Sequence, residues 1–136
     1  MENQNRVRIL IVDDEPAVCD VLEEFLAEIG YEADIAHNGE KALEILSAQR
    51  HDLMLLDLKM PGIGGLEVLK EIKKRSYQVG VVVITAFQDL DLAREVIKYG
   101  AIDYLNKPLD LKLIASTIDF ALKKQKVIKE STQSEA

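Results

Sequence analysis

Near the start of the chain stands Val7-Arg8-Ile9-Leu10-Ile11-Val12-Asp13-Asp14, an apolar run of strand length that ends in two adjacent aspartates. Three further apolar runs follow at Asp52–Leu56, Val79–Thr85 and Ile102–Leu105, and a weaker one lies at Glu32–Ala36. Solidly apolar runs are typical of central parallel strands, which are buried on both faces. The more polar run Glu32–Ala36 suits an edge strand.

Segments with helical spacing of apolar residues separate these strand candidates. The first segment is closed by Gly30 and the fourth by Gly100, as expected for helix ends. Five strands alternating with five helices predict an α/β fold, with helices on both faces of a parallel sheet. Neither a repeat nor a linker divides the chain. We therefore expect one domain over residues 1–125 and a polar tail, 126–136, that frays.

The composition excludes several classes of function. The chain has 17 Lys and Arg against 24 Asp and Glu, a formal charge of −7, and an acidic surface repels nucleic acid. Direct nucleic-acid binding is therefore not expected. No apolar run is long enough to span a bilayer, and the start of the chain is polar. These features predict a soluble, cytoplasmic protein that does not bind membranes.

The cysteine and the two histidines give no sign of a site. The single cysteine, Cys19, excludes an internal disulfide and lies in a helical apolar stripe, where we expect a buried thiol. His37 and His51 lie near loops, with no carboxylate or second histidine at metal-ligand spacing. We expect both imidazoles to be solvated.

Charged and hydroxyl residues stand where the predicted strands end. Asp13 and Asp14 follow the first apolar run, Asp57 follows the next solidly apolar run, Thr85 ends Val79–Thr85 and Lys107 lies just after the last. The carboxyl ends of parallel strands meet at one edge of the sheet, where open α/β folds bind ligands. Three carboxylates placed together repel one another unless a cation intervenes, and oxygen ligands with room for phosphate suit Mg²⁺. The pattern predicts Mg²⁺-assisted phosphoryl chemistry with a carboxylate nucleophile.

Each of these residues also has a simpler explanation. Asp13 or Asp14 could cap the first helix, and Asp57 could be a turn residue. Thr85 taken alone is more often structural than functional, and Lys107 could be an exposed loop lysine. The functional interpretation is favoured because these independent explanations would all have to coincide at predicted strand ends.

Four short motifs occur in order along the chain. They are Val12-Asp13-Asp14-Glu15, Leu56-Asp57-Leu58-Lys59-Met60-Pro61-Gly62, Ile84-Thr85-Ala86 and Tyr104-Leu105-Asn106-Lys107-Pro108. Together they resemble the receiver domain of bacterial two-component response regulators, over about residues 8–122. The resemblance implies a flavodoxin-like, doubly wound, five-stranded parallel sheet of order 2-1-3-4-5, flanked by five helices.

The resemblance also implies a role for each motif residue. Asp57 would accept a phosphoryl group from the histidine of a sensor kinase or from a phosphotransfer protein. Mg²⁺ would be held by Asp13, Asp14, Asp57 and the backbone carbonyl of Lys59. Lys107 would pair with the acyl phosphate. The protein would be a self-phosphorylating switch, and not an enzyme that turns over an external substrate.

A switch pair and an output surface follow from the same resemblance. The hydroxyl of Thr85 would move toward the phosphoryl group while the ring of Tyr104 turns inward. The surface formed by helix 4, strand 5 and helix 5 would then control a downstream protein target or an effector domain absent from this sequence. Leu113 and Phe120 lie off the buried stripe of helix 5 and are candidates for a phosphorylation-dependent homodimer.

In this family, two positions often set how long the phosphoryl group is retained: two residues after the phosphorylated aspartate and two residues after the switch threonine. They are Lys59 and Phe87, and neither is a carboxamide or an acid that would orient an attacking water. We therefore expect slow self-dephosphorylation. Two stretches, Ile84-Thr85-Ala86-Phe87 and Gly100-Ala101-Ile102-Asp103-Tyr104-Leu105, resemble receivers attached to transcriptional activators of the nitrogen-regulation type. The chain would then be the regulatory piece of a longer activator, although a stand-alone receiver acting on a protein partner stays open.

Three other functions are weighed against this one. A nucleotide-binding domain needs a Gly-rich turn after the first strand, but the first glycine of the chain is Gly30. An aspartyl phosphatase needs a second acid just after the nucleophile, and Asp57 is followed by Leu58-Lys59-Met60. A degenerate receiver that binds a protein without being phosphorylated stays open.

Overall fold

The structure, a computed structural model, describes residues 6–135, with side chains as far as Lys126. Five strands alternate with five helices in this part of the chain. Their bounds are β1 Arg8–Val12, α1 Pro16–Glu28, β2 Glu32–Ala36, α2 Gly39–Ala48, β3 Leu53–Leu56, α3 Gly65–Arg75, β4 Gly80–Thr85, α4 Leu90–Lys98, β5 Asp103–Asn106 and α5 Leu111–Glu135.

The five strands form one parallel sheet in the order β2-β1-β3-β4-β5. This confirms the doubly wound fold and the strand order that the resemblance implied. In the register of the sheet, Val12 lies beside Leu56 and Leu56 beside Val83. The residues that follow β1 and β3 are therefore neighbours at the carboxyl edge of the sheet.

Both faces of the central strands are covered by helices. Leu10 and Met54 face the core formed with α2, α3 and α4, whereas Ile9 and Leu53 face the core formed with α1 and α5. All four side chains are fully buried. Burial of one such side chain is worth roughly 1.5–3 kcal/mol, and a strand with two buried faces gains this at every position. That gain explains why β1, β3 and β4 read as almost continuous apolar runs.

The ends of some elements differ from the sequence prediction. β5 covers Asp103–Asn106 and not Ile102–Leu105, because its last pair joins Asn106 to Thr85. β5 is an edge strand whose side chains are half-buried or exposed, so polar residues are tolerated within it. The run of apolar residues therefore does not show where the strand begins and ends. The backbone of α5 is helical to Glu135. The predicted frayed tail, 126–136, falls almost wholly on residues whose side chains lie outside the described part, and the domain limit at residue 125 stays a prediction.

The prediction that both histidines are solvated is wrong for His51. Its side chain is buried, and its Nε2 lies 2.7 Å from a carboxylate oxygen of Asp34 on β2. The same oxygen accepts a hydrogen bond from Arg8 at 3.2 Å. The sequence could not show this contact, because Asp34 lies 17 residues away and reaches His51 only through the sheet. His37 is exposed, with its Nδ1 3.2 Å from the carbonyl oxygen of Asp13.

The expectation of a buried Cys19 is confirmed. Cys19 is fully buried against the core beneath α1, and its thiol donates to the carbonyl of Asp13 at 3.3 Å. Burial, reinforced by the negative charge of Asp13, raises the pKa of the thiol to about 11. No helix among the described residues combines the length and the apolar character that crossing a membrane requires.

Candidate functional site

The three aspartates predicted to meet at the carboxyl edge of the sheet do meet there. Asp13, Asp14 and Asp57 each offer a carboxylate oxygen within 4.8 Å of the other two. Asp13 and Asp57 are only 3% and 5% exposed, whereas Asp14 is exposed to solvent. Two negative charges are thus held close together away from water, and the third stands at the surface beside them.

Lys107 supplies the positive charge of this cluster. Its ammonium nitrogen lies 2.9 Å from Asp13 Oδ2, 3.2 Å from Asp57 Oδ2 and 3.5 Å from Glu15 Oε2. The backbone N–H of Lys107 donates to the carbonyl of Thr85 at 2.8 Å, which extends the pairing of β4 and β5 by one step. The sheet therefore holds the start of the lysine side chain in place.

The shifted pKa values in the cluster reflect burial and the close approach of opposite charges. Burial raises the pKa of Asp13, and the charge of Asp57 adds to this, although hydrogen bonds from the Glu15 N–H and from Lys107 oppose it. Burial alone would lower the pKa of Lys107, but its hydrogen bond to Asp13 and the charges of both buried aspartates raise it overall. The lysine therefore stays protonated. The carboxylates of the three aspartates and the ammonium group of Lys107 leave two negative charges, which a divalent cation would balance.

The donor set suits Mg²⁺, a hard cation that prefers oxygen ligands. Asp14 has no protein partner within the part of the chain that the structure describes, so its carboxylate is available to a cation. The backbone N–H of Lys59 donates to Asp57 Oδ1 at 3.3 Å, which places the Lys59 backbone beside the buried carboxylate. The residues predicted to hold Mg²⁺ thus occupy one place, and their chemistry fits the ion.

Thr85 and Tyr104 both contact the backbone of Phe87. The fully buried hydroxyl of Thr85 accepts a hydrogen bond from the Phe87 N–H at 3.3 Å. The half-buried Tyr104 donates its hydroxyl to the Phe87 carbonyl at 2.6 Å. Burial and the charge of Asp89 raise the pKa of Tyr104, so the hydroxyl remains a donor. The two residues hold the same peptide segment at the start of the β4–α4 loop.

Asn106 is a member of this arrangement that sequence reasoning missed. Its amide nitrogen donates to the same Phe87 carbonyl at 2.7 Å. Asn106 lies in the Tyr104–Pro108 motif and is the last residue of β5. A polar residue at the end of a strand is common, so nothing in the sequence marks it as part of the site. Only the pairing of β4 with β5 brings it to Phe87.

A family model described as the response regulator receiver domain matches residues 9–119 of the chain. The chain belongs to the response regulator receiver family. Receiver domains act as phosphorylation-dependent switches in two-component signal transduction. All the site residues described above lie inside the matched region.

Three relatives illustrate where such receivers occur. The transcriptional regulatory protein ZraR of Klebsiella oxytoca is 41% identical over 117 residues, which are 86% of this chain and 26% of that protein. Sporulation initiation phosphotransferase F of Bacillus subtilis is 38% identical over 111 residues, which are 82% of this chain and 90% of that protein. The crystal structure of response regulator TrrA from Thermotoga maritima, in complex with Mg²⁺-BeF, superposes with a TM-score of 0.77 at 36% identity, covering 85% of this chain and 98% of that one.

The region that matches this chain makes up different fractions of the relatives' length. The chain spans 26% and 52% of the length of the first two curated relatives it matches, both transcriptional regulatory proteins. It spans nearly the whole of phosphotransferase F. Receivers similar to this one therefore occur both as a part of longer regulators and nearly alone.

Proposed function

We propose that this receiver takes a phosphoryl group onto Asp57 in a Mg²⁺-dependent reaction, with a histidine kinase or a phosphotransfer protein as donor. One observation carries the proposal. The carboxylate of Asp57 is buried, lies in one cluster with Asp13 and Asp14, and is 3.2 Å from the ammonium group of Lys107. A buried nucleophile beside oxygen ligands and a fixed cation is what phosphoryl transfer to a carboxylate requires.

In this reaction a carboxylate oxygen of Asp57 forms a bond to the phosphorus atom. The bond between phosphorus and the donor, a histidine nitrogen or the acetate oxygen of acetyl phosphate, breaks, and the leaving group keeps that electron pair. When bound, Mg²⁺ supplies positive charge that offsets the charge of the phosphoryl oxygens. Asp13, Asp14, Asp57 and the backbone carbonyl of Lys59 would hold it. Lys107 pairs with a phosphoryl oxygen and gives up part of its contact with Asp57.

The contacts of Phe87 suggest how the phosphoryl group is sensed. The Thr85 hydroxyl can rotate from the Phe87 N–H toward a phosphoryl oxygen, since a hydroxyl both accepts and donates. The β4–α4 loop, no longer held by Thr85 at the Phe87 N–H, then lets the Tyr104 ring turn inward. The surface that changes comprises α4, β5 and α5. On α5 it carries Leu113 and Phe120, which are 48% and 54% exposed and are candidates for pairing two phosphorylated copies.

The relatives suggest two candidates for what the switch controls. Matches to transcriptional regulatory proteins favour a chain that regulates an effector domain of a longer activator. The match to phosphotransferase F favours a receiver that passes its phosphoryl group to a protein partner. In either role it acts as a switch on its own Asp57 and turns over no external substrate. A cytoplasmic location stays a prediction.

The proposal is tested by the intact mass of the protein after incubation with acetyl phosphate. We expect a gain of one phosphoryl group in the presence of Mg²⁺ and no gain when the metal is chelated. No gain with Mg²⁺ and either acetyl phosphate or a phosphorylated histidine donor would contradict the proposal. It would favour the degenerate receiver, in which the acidic cluster serves as a protein-binding surface.

Mg²⁺ should raise the thermal stability of the protein, and Asp14 should be needed for this. With Mg²⁺ at ten times its dissociation constant, mass action gives about 1.4 kcal/mol of stabilisation. The Asp14→Ala variant should lose most of it, because Asp14 is the exposed carboxylate that is free to bind a cation. Thermal unfolding with and without Mg²⁺ measures both values. An Asp14→Ala variant that gains as much as the parent would contradict the ligand assignment.

The phosphorylated form should decay slowly. Neither Lys59 nor Phe87 offers a carboxamide or a carboxylate to orient water against the acyl phosphate. We expect a lifetime of minutes or longer once the donor is removed, and the Lys59→Asn variant should decay faster. Intact mass against time gives the lifetime, and loss of the phosphoryl group within seconds in the parent would refute this expectation.

A further inference from the structure

Glu40, in the first turn of α2, forms a hydrogen bond with the backbone of the loop between β3 and α3. Its Oε1 accepts a hydrogen bond from the backbone N–H of Ile63 at 3.1 Å. Next to Ile63, Gly62 has a φ of 77°, in the left-handed region that favours glycine. A Cβ at Gly62 would lie 2.5 Å from Glu40 Oε1, so the absent side chain leaves the space that the carboxylate fills.

The same loop begins at the proposed phosphorylation site. At its base, the Gly65 N–H donates to the Leu58 carbonyl at 3.1 Å, and the Lys59 N–H donates to Asp57. A Cβ at Gly65 would lie 2.5 Å from the carbonyl oxygen of Asp57, so the two ends of the loop pack backbone against backbone. Among the described residues, Glu40 alone provides a side-chain hydrogen bond to the backbone of residues 60–63. The base of the loop is thus fixed by its own backbone, and its tip by one carboxylate from α2.

We propose that Glu40 is a positioning residue for the Mg²⁺-dependent phosphorylation of Asp57. By holding the Ile63 N–H, it restricts the segment that carries the Lys59 carbonyl, one of the proposed metal ligands. Groups that orient a ligand without touching the metal affect its affinity strongly. This inference rests on the proposed function, because it assigns Glu40 a part in the same site.

Two simpler roles for Glu40 predict different behaviour. An acidic residue in the first turn of a helix stabilises the helix through its dipole, which changes stability but not the affinity for Mg²⁺. A negative charge near the cluster could also attract the cation over a distance, and this needs no hydrogen bond. Glutamine at position 40 separates these roles, because its amide oxygen accepts the same hydrogen bond without carrying charge.

The test compares Glu40→Ala and Glu40→Gln with the parent, and uses Glu44→Ala as a matched control. Glu44 lies on the same helix, is exposed, and within the described part of the chain its carboxylate forms an ion pair with Lys41 alone. Each protein is titrated with Mg²⁺ alone, with the shift of thermal unfolding as the readout. The rate of phosphorylation by acetyl phosphate is then measured across the same Mg²⁺ range.

For Glu40→Ala we expect the dissociation constant for Mg²⁺ to rise about tenfold, the lower end for a group that orients a metal ligand. The half-saturating Mg²⁺ concentration of the phosphorylation rate should rise by the same factor, while the rate at saturating Mg²⁺ stays within about twofold of the parent. Glu40→Gln and Glu44→Ala should keep the parent values. This pattern separates positioning from a general loss of stability.

Three outcomes would overturn the inference. Glu40→Ala could lower the unfolding temperature and leave the Mg²⁺ affinity unchanged, which would make the residue structural only. Glu40→Gln could lose as much affinity as Glu40→Ala, which would mean that charge and not the hydrogen bond matters. The parent could bind no Mg²⁺ at all. A parent that binds Mg²⁺ with Glu40-dependent affinity but takes up no phosphoryl group would contradict the proposed function, and Glu40 would then position the Mg²⁺ site alone.

Discussion

The Asp57→Asn variant should take up no phosphoryl group from acetyl phosphate under conditions in which the parent gains one. Asparagine has the same shape as aspartate and keeps an oxygen that Lys107 can approach, so the fold of the site is retained. Its neutral amide oxygen is a poor nucleophile, and no bond to phosphorus forms. Intact mass at several times of incubation measures the loss, which we expect to be complete within detection.

Asp20 provides the control for this substitution. It is an exposed aspartate on α1 and lies outside the carboxylate cluster, so Asp20→Asn should take up one phosphoryl group at the parent rate. Uptake by Asp57→Asn equal to that of the parent would show that another residue accepts the group. The central assignment would then be wrong even if uptake required Mg²⁺.

The Lys107→Met variant should be strongly destabilised when no metal is present. Methionine keeps much of the length of the side chain but removes its charge, and leaves Asp13 and Asp57, only 3% and 5% exposed, without a cation. Removing one partner of a buried ion pair costs about 3–5 kcal/mol. Urea denaturation at neutral pH measures this loss. Mg²⁺ should restore more stability to the variant than to the parent, because it supplies the missing positive charge.

The pH dependence of this loss has a definite sign. Burial already raises the pKa of Asp13, and removal of Lys107 raises it further, since two of the causes that lower it depend on that lysine. A carboxyl group with a raised pKa in the folded state binds its proton more tightly there than in the unfolded chain. The destabilisation is therefore fully present above the folded pKa and shrinks as the pH falls through it toward the unfolded value.

Lys123→Met is the control for the lysine substitution. Lys123 is exposed and forms an ion pair with Asp119 on the same helix, so its loss should change stability by less than about 1 kcal/mol. Equal and small losses in both variants would contradict the account of the cluster. So would a Lys107→Met loss that grows as the pH is lowered.

The sequence predicted the fold and the carboxylate cluster well, for a physical reason. β1, β3 and β4 have both faces buried, so their apolar runs are nearly continuous and end where the chain leaves the core. The residues that follow, Asp13 and Asp57, then had to meet, because parallel strands end at one edge. Lys107 joined them through the pairing of β5 with β4.

The contacts that the sequence did not reveal depend on register and loop geometry. His51 reaches Asp34 because β2 lies beside β1 at the edge of the sheet, and no spacing along the chain encodes that distance. Glu40 reaches the Ile63 N–H because Gly62 turns the loop toward α2. Polar residues on helices and loops carry little periodic signal. Their partners become visible only when the elements are placed in space.

The most direct test of the central claim is to locate the phosphoryl group. The parent is phosphorylated with acetyl phosphate and Mg²⁺, treated with borohydride, which reduces an aspartyl phosphate to homoserine and releases phosphate, and then digested for peptide mass analysis. We expect homoserine at position 57 and at no other aspartate position. Homoserine at Asp13 or Asp14, or at no position in a protein that has gained a phosphoryl group, would contradict it.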